Sequence, residues 1–207
     1  MIDPLDAPTG GPEQQEEDRL SDAELMSRVQ AGDRDAFTDL VERHKDAVVN
    51  YLTRLAGDRD RAEDLAQETF LRLFRTAADY DERGYLRAYL YRIATNLVRS
   101  EERRQRRFHL LLPFLRGGRE HTEPAGPSGV LRRELHRQVS KALADLPLRY
   151  RVPLVLHEIE GWAYSDIARE LGCREGTVKS RIHRGRQHLK QRREPYWKGG
   201  TSWKISP

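Results

Sequence analysis

The sequence predicts an all-α protein, two small helical domains joined by a flexible linker. Three observations lead there. Apolar residues recur in block after block at the spacing of a helix with one buried face. No stretch alternates apolar and polar residues as a half-buried strand does. Between two sets of helical blocks, Gln105 to Val130 carries Pro113, Gly117-Gly118, Pro124, Gly126-Pro127 and Gly129, residues that break helices and suit a linker.

Each element can be read in order. Residues 1–20 are rich in proline, glycine, glutamine and acids and read as a disordered acidic arm. The N-terminal domain is expected over 21–107. Ser21-Asp22-Ala23-Glu24 matches a capping box, in which Ser21 and Glu24 satisfy each other's free amides. Leu25, Met26 and Val29 follow at helical spacing, and Gly32 closes the helix. A second helix is predicted from about Asp35 to Ala56, with Leu40, Val41, His44, Val48, Tyr51, Leu52 and Leu55 on its apolar stripe. Gly57 ends it, and Asp58 caps a third helix carrying Ala62, Leu65, Ala66, Phe70, Leu73 and Phe74. After a loop from Thr76 to Arg83, a long fourth helix starts near Tyr85 and runs into an arginine cluster, with Leu86, Leu90, Ile93 and Leu97 on one face.

The linker is assigned to 108–130, and its apolar run Leu110 to Leu115 either docks in a groove on a partner or, as the default, packs back on its own domain. The C-terminal domain is assigned to 131–193. Leu131, Leu135, Val139, Ala142, Leu143 and Leu146 form a stripe that Pro147 breaks. Val152 to Ile159 is apolar and ends at Gly161. Two short helices follow, Ser165 to Leu171 and Glu175 to about Arg192. The tail 194–207, with Trp197 and Trp203, has no clear assignment.

Charge narrows the function. The whole chain carries only +4, yet Met1 to Glu24 holds eight acids and one base, whereas Arg174 to Arg193 holds eight bases and one acid. Such polarity points to an anionic partner at the C-terminal end. Cys173 is the sole cysteine, which excludes an intramolecular disulfide and a cysteine-rich zinc site. No apolar run is long enough to span a bilayer and no signal-peptide core is visible, so a soluble cytoplasmic protein is expected, with no membrane partner.

The strongest local signal is a helix-turn-helix. Tyr164 to Cys173 places Ile167 and Leu171 one turn apart, the small Ala168 where two helices approach, and Gly172 at the turn. In the second helix Val178, Ile182 and Leu189 continue the buried stripe. Arg174, Glu175, Thr177, Lys179, Ser180, Arg181, His183, Arg184 and Arg186 are then available to a major groove and its phosphates. The long helix adds a second signal. Arg83, Tyr85, Arg87, Tyr89, Tyr91, Arg92, Asn96, Arg99, Arg103 and Arg104, from its entry onward, interleave rings and cations, the mixture that holds single-stranded nucleic acid.

Taken together these motifs resemble the extracytoplasmic-function (ECF) group of the sigma-70 family. Asp64-Leu65-Ala66-Gln67-Glu68-Thr69-Phe70-Leu71-Arg72-Leu73-Phe74 resembles the helix that binds the polymerase clamp coiled coil. Tyr85 to Leu97 resembles the promoter-melting helix. Leu143-Ala144-Asp145-Leu146-Pro147 and Gly176 to Arg186 resemble signatures of the second domain.

The resemblance implies a sigma factor that directs promoter recognition, DNA melting and transcription initiation. It implies that Asp64, Gln67, Glu68 and Arg72 meet the clamp of core RNA polymerase. The first domain then reads the minus-ten element through Tyr80, Arg83, Tyr85, Arg87, Tyr89, Arg92, Asn96, Arg99 and Arg103. The second places Arg174 to Arg186 at the minus-thirty-five element and holds the flap tip. An anti-sigma factor is the further partner it implies.

Two positions depart from the family pattern. Tyr89 stands where tryptophan is usual, and Pro153 falls inside an expected helix, which it is expected to kink or delay. Two other functions have some support in the sequence. A stand-alone helix-turn-helix regulator would need a dimerisation surface, and it leaves the first domain unexplained. A metal-dependent nucleic-acid hydrolase could use Asp58, Asp60, Glu63 and Asp64, but lacks a complementary histidine or nucleophile pattern, and helix capping explains the acids. No enzyme activity, cofactor, metal or catalytic residue is expected.

Overall fold

The computed structural model describes residues 20–81, 85–111 and 139–193. All regular structure among them is helical. The N-terminal unit comprises α1 (Asp22–Gln30), α2 (Arg34–Ala56), α3 (Arg59–Arg75), a 3-10 turn (Ala77–Asp79) and α4 (Leu86–Leu111). The C-terminal unit comprises α5 (139–144), α6 (Leu148–Glu158), α7 (Tyr164–Leu171) and α8 (Glu175–Arg193). Leu131, Leu135, Arg83 and Leu112 to Leu115 lie outside the described residues.

Helix starts follow the caps. Ser21 N donates to Glu24 Oε2 at 2.7 Å, and Glu24 N donates to Ser21 Oγ at 3.2 Å, a complete capping box. Asp33 Oδ1 accepts from the amides of Asp35 and Ala36, and Asp58 Oδ1 from the amide of Arg61. Gly57 ends α2 at φ +79°, a left-handed conformation open to glycine at little cost. α4 runs to Leu111, several residues into the stretch read as linker. Pro153 does not delay α6, which starts at Leu148, right after Pro147, and continues through Pro153 to Glu158. A proline has no N–H to donate, but the remaining α6 amides and the burial of Val152, Leu154, Val155 and Leu156 hold the helix.

In the N-terminal unit α2 packs against α1, α3 and α4, which places Tyr51, Leu52, Leu55, Leu73 and Leu90 fully inside. Each such side chain contributes about 1.5–3 kcal/mol through burial. Tyr51 and Tyr91 stack with ring centroids 4.2 Å apart, and the Tyr51 hydroxyl shares a hydrogen bond of 2.7 Å with Thr95 Oγ1. In the C-terminal unit α6 packs on α8 and α7 on α8, burying Ile167, Val178 and Ile182.

The two units touch. α6 lies against the end of α2. There Arg151, itself buried, donates to the carbonyls of Leu55 from α2 and of Ala144 and Leu146 from its own unit. Its guanidinium also sits 3.4 Å from Glu102 of α4. Three carbonyls that would otherwise be buried without donors are thereby satisfied.

Candidate nucleic-acid interface

Three surfaces carry the residues singled out in the sequence. The first is α4. Successive positions 85, 92, 96, 99 and 103 fall on one side of this helix because each step of three, four or seven residues returns close to the same face. Tyr85 is 62% exposed, and Arg92, Asn96, Arg99 and Arg103 are exposed. Arg92 lies over the Tyr89 ring at 4.9 Å, and Arg99 Nη1 donates to Asn96 Oδ1 at 3.3 Å. Tyr89 is half-buried, packs on Tyr80 at 4.9 Å and shares a 3.1 Å hydrogen bond with Thr76 Oγ1. The Tyr89 hydroxyl thus ties the ring to the C-terminal end of α3.

Tyr80 is 9% exposed. Its carbonyl accepts from Gln30 Nε2 at 2.8 Å, and the carbonyl of Ala77 accepts from the same amide at 3.0 Å. Gln30 therefore pins the loop entering α4 to the end of α1. Arg87 is committed to a different partner. Its Nη2 donates to Glu160 Oε2 at 2.8 Å and to the Tyr91 hydroxyl at 3.0 Å. Burial and the bond to Glu160 push the Tyr91 hydroxyl up to about 12, so it stays a neutral donor.

The second surface is α8. Val178, Ile182 and Gly185 face inward. Gly185 lies close against α6, where a Cβ would sit 3.4 Å from the Tyr150 carbonyl oxygen. Lys179, Ser180 and His183 point outward, while Arg181 is half-buried on one flank with Nη1 3.8 Å from Cys173 Sγ. Lys179 pairs with Glu175 at 2.9 Å, and Ser180 Oγ donates to the Thr177 carbonyl at 2.9 Å. Arg184 hydrogen-bonds the Tyr150 hydroxyl, which lowers that phenol's pKa, and Arg186 is tied to Glu158 of α6 through Nε at 2.9 Å. Arg174 is exposed just before the helix and Thr177 is half-buried.

The third surface is α3. Asp64, Gln67, Glu68 and Arg72 share one face, with Arg72 Nε donating to Glu68 Oε1 at 2.9 Å. Leu71, 47% exposed, sits among them. The charged candidates hid this leucine from sequence reasoning, although its register on α3 points to it. Gln187 and Lys190 were missed in the same way: they continue the outward line of Ser180 and His183 along α8, and both are exposed.

Comparison with known proteins agrees with this layout. Sigma-70 region 2 matches residues 40–108, and sigma-70 region 4 matches residues 136–189. The ECF RNA polymerase sigma factor SigW of Bacillus subtilis is 33% identical over 174 residues, covering 80% of this chain and 93% of that protein. The chain is a member of the ECF group of the sigma-70 family. The ECF RNA polymerase sigma factor SigE of Mycolicibacterium smegmatis is 38% identical over 156 residues, covering 75% of this sigma factor and 60% of that longer protein. Among solved structures, CnrH in complex with the cytosolic domain of CnrY has a TM-score of 0.61 at 25% identity, covering 84% of this chain and 97% of CnrH. The sigma factor RpoE of Bartonella quintana, in complex with the anti-sigma factor NepR, has a TM-score of 0.59 at 26% identity, covering 75% and 94%.

As a sigma factor, the protein serves RNA polymerase in promoter recognition and transcription initiation, and it is not an enzyme. No helix among the described residues is long and apolar enough to cross a membrane.

Proposed function

We propose that the sigma factor works in the cytoplasm with four surfaces assigned to four contacts. The N-terminal domain, 21–107, holds the non-template strand of the minus-ten element along α4. Exposed Tyr85 stacks on an unpaired base, while Arg87, Arg92, Arg99 and Arg103 follow the phosphates and Asn96 reads a base edge. Arg83 belongs to the loop that captures a flipped base, and Tyr80 and Tyr89 form the wall of its pocket. Extruding a base costs a few kcal/mol, offset by stacking and pocket contacts, so melting is capture of open DNA and needs no catalytic group.

The C-terminal domain, 131–193, sets α8 in the minus-thirty-five major groove. Arg174, Glu175, Thr177, Ser180 and His183 lie nearest the bases, and Lys179, Arg181, Arg184 and Arg186 reach phosphates. The face of α3 with Asp64, Gln67, Glu68 and Arg72 around Leu71 grips the polymerase clamp coiled coil, and an apolar flank of the C-terminal domain takes the flap tip. The segment 108–130 tethers the two domains. An anti-sigma factor, the kind of partner seen with the Bartonella protein, covers the polymerase-binding faces.

The observation that carries this reading is that one chain presents an exposed ring-and-cation face on α4 and an outward polar face on a helix-turn-helix. Run-off transcription with sigma-free core polymerase on a library of promoter fragments tests it. Promoter-specific transcripts that depend on the added protein are expected. Binding to duplex DNA without any effect on polymerase start sites would overturn it in favour of a stand-alone regulator.

A further inference from the structure

The two units do more than touch, and the chemistry of their contact is specific. Glu160, in the turn after α6, is the centre. Its side chain is only 5% exposed although it carries a carboxylate. Its Oε2 accepts from the Tyr91 hydroxyl at 2.7 Å and from Arg87 Nη2 at 2.8 Å, and its Oε1 accepts from Arg54 Nη1 at 3.3 Å. Every one of those donors belongs to the N-terminal unit. Two residues on, the Trp162 ring lies nearly parallel to Tyr91 with centroids 6.0 Å apart. Arg169 of α7 lies 5.7 Å over the ring of Tyr85, and Glu170 of α7 stands within electrostatic reach of Arg92 and Arg99 of α4.

A buried carboxylate is retained at such a site only where its partners are well placed, because removing it from water costs several kcal/mol. Here a buried anion from one unit meets three donors from the other. The cations involved are among those that phosphates would occupy on α4.

We propose that in the free sigma factor the C-terminal domain is docked on α4 by Glu160 and Trp162, and that this self-contact competes with single-stranded DNA for the same face. The inference rests on the proposed role of α4 in holding the minus-ten strand. Glu160 stands in for one phosphate at Arg87, Glu170 faces the next two arginines, and Arg169 takes the Tyr85 ring where a base would stack. Geometry adds a second argument. A compact chain of this size has a radius of gyration of about 17 Å, so it is roughly 45 Å across. Elements centred near positions ten and thirty-five lie about 25 base pairs apart, about 85 Å of duplex at 3.4 Å per pair. The docked form cannot reach both elements, so the docking contact must break when polymerase and promoter are engaged.

The test uses the full chain with spin labels on α2 and α8, at Glu42→Cys and Gln187→Cys, in a Cys173→Ser background. Pulsed dipolar spectroscopy of the free protein is expected to show one narrow, short distance. Glu160→Ala should move most of the population to long, broad distances. Tyr91→Phe keeps the stacked ring and deletes only the hydroxyl, so it should do the same in part while circular dichroism stays unchanged. In parallel, Glu160→Ala should tighten binding of a single-stranded minus-ten oligonucleotide by about tenfold, because the competent fraction rises. A broad distribution in the unmodified chain, or no change in distance and affinity for either variant, would overturn the proposal. The run-off assay keeps the two failures apart. Promoter-specific initiation by a chain that is already open removes the docking alone. A docked chain that never directs initiation leaves the contact standing and removes the DNA role of α4.

Discussion

The two helices that carry the nucleic-acid surfaces are held very differently. On α8 most outward groups have local partners: Lys179 has Glu175 one turn before it, Ser180 bonds the carbonyl of Thr177, and His183 meets Gln187. On α4, Arg87 is bound by a glutamate 73 residues further along the chain, and Arg92 and Arg99 face another from the same distant unit. A surface with local partners is ready for any ligand that approaches it. A surface occupied by a distant part of the same chain responds to whatever moves that part. The contrast assigns availability to α8 and regulation to α4, and it can be broken from either side.

The largest effect is expected at Arg151, which supports the contact from the start of α6, whereas Glu160 follows its end. Arg151→Met removes the donor shared by the carbonyls of Leu55, Ala144 and Leu146 and leaves Glu102 with Arg106 in place of two cations. Deleting one member of a buried charged network costs about 3–5 kcal/mol. Thermal unfolding should show a drop in Tm of at least about 12 °C, at roughly 4–8 °C per kcal/mol for the smaller unit. A loss within a degree or two would mean that water replaces the guanidinium, and that the junction is looser than its hydrogen bonds imply.

Gly57→Ala comes next. The substitution pays a left-handed penalty of about 1–2 kcal/mol, and its new methyl would collide with Cβ of Ala144 in the other unit. Destabilisation of about 2 kcal/mol and partial undocking, read by the same spin-label distance, are expected. Adding Ala144→Gly should recover the docking and leave the backbone penalty, which separates the two causes.

This junction marks where the sequence stops being legible. The capping box at Ser21, the glycine end of α2, the stripes of α2 and α3, and the helix-turn-helix between Tyr164 and Arg193 are all local patterns, and the structure forms each of them. The roles expected of α3, α4 and α8 come from family motifs, which are also local stretches of sequence. Glu160, Trp162, Glu170 and Arg151 gave no signal, since each looks ordinary among its neighbours and acquires its part only when α6 and α7 meet α2 and α4. Pro153 shows the opposite failure. The local rule against proline in a helix is real, but a helix buried along most of its length absorbs one missing donor.

A smaller change sharpens the α8 side of the comparison. Lys179→Ala removes an exposed cation whose only ion-pair partner among the described residues is the exposed Glu175. Promoter-duplex binding by the holoenzyme should lose a few-fold in affinity, and the slope of log Kd against log salt should fall by about one phosphate contact. Arg181→Ala should change that slope less, because its guanidinium is turned toward Cys173. Equal slopes for both variants would show that the flank of α8 lies as close to the phosphates as its outward face.

The smallest effect separates the two regions by pH. In the docked form Glu170 is pushed up to about 7, chiefly by burial, against the lowering influence of Arg92 and Arg99 on α4 and Arg169 on its own helix; Tyr51 of α2 is the other titratable group that feels it. In the undocked form a solvated glutamate returns to its ordinary value of 4.5. The docked form therefore binds the proton more tightly. Docking is most favoured below the lower value, weakens as pH rises through the interval, and changes no further above the upper one. Acidification from pH 8 to pH 5 should shift the spin-label distances toward the docked form. Glu170→Gln should flatten the response and favour docking at pH 8. If the wild-type and glutamine chains show the same pH profile, the carboxylate does not lose its water on docking, and α7 sits further from α4 in solution than the docked structure requires.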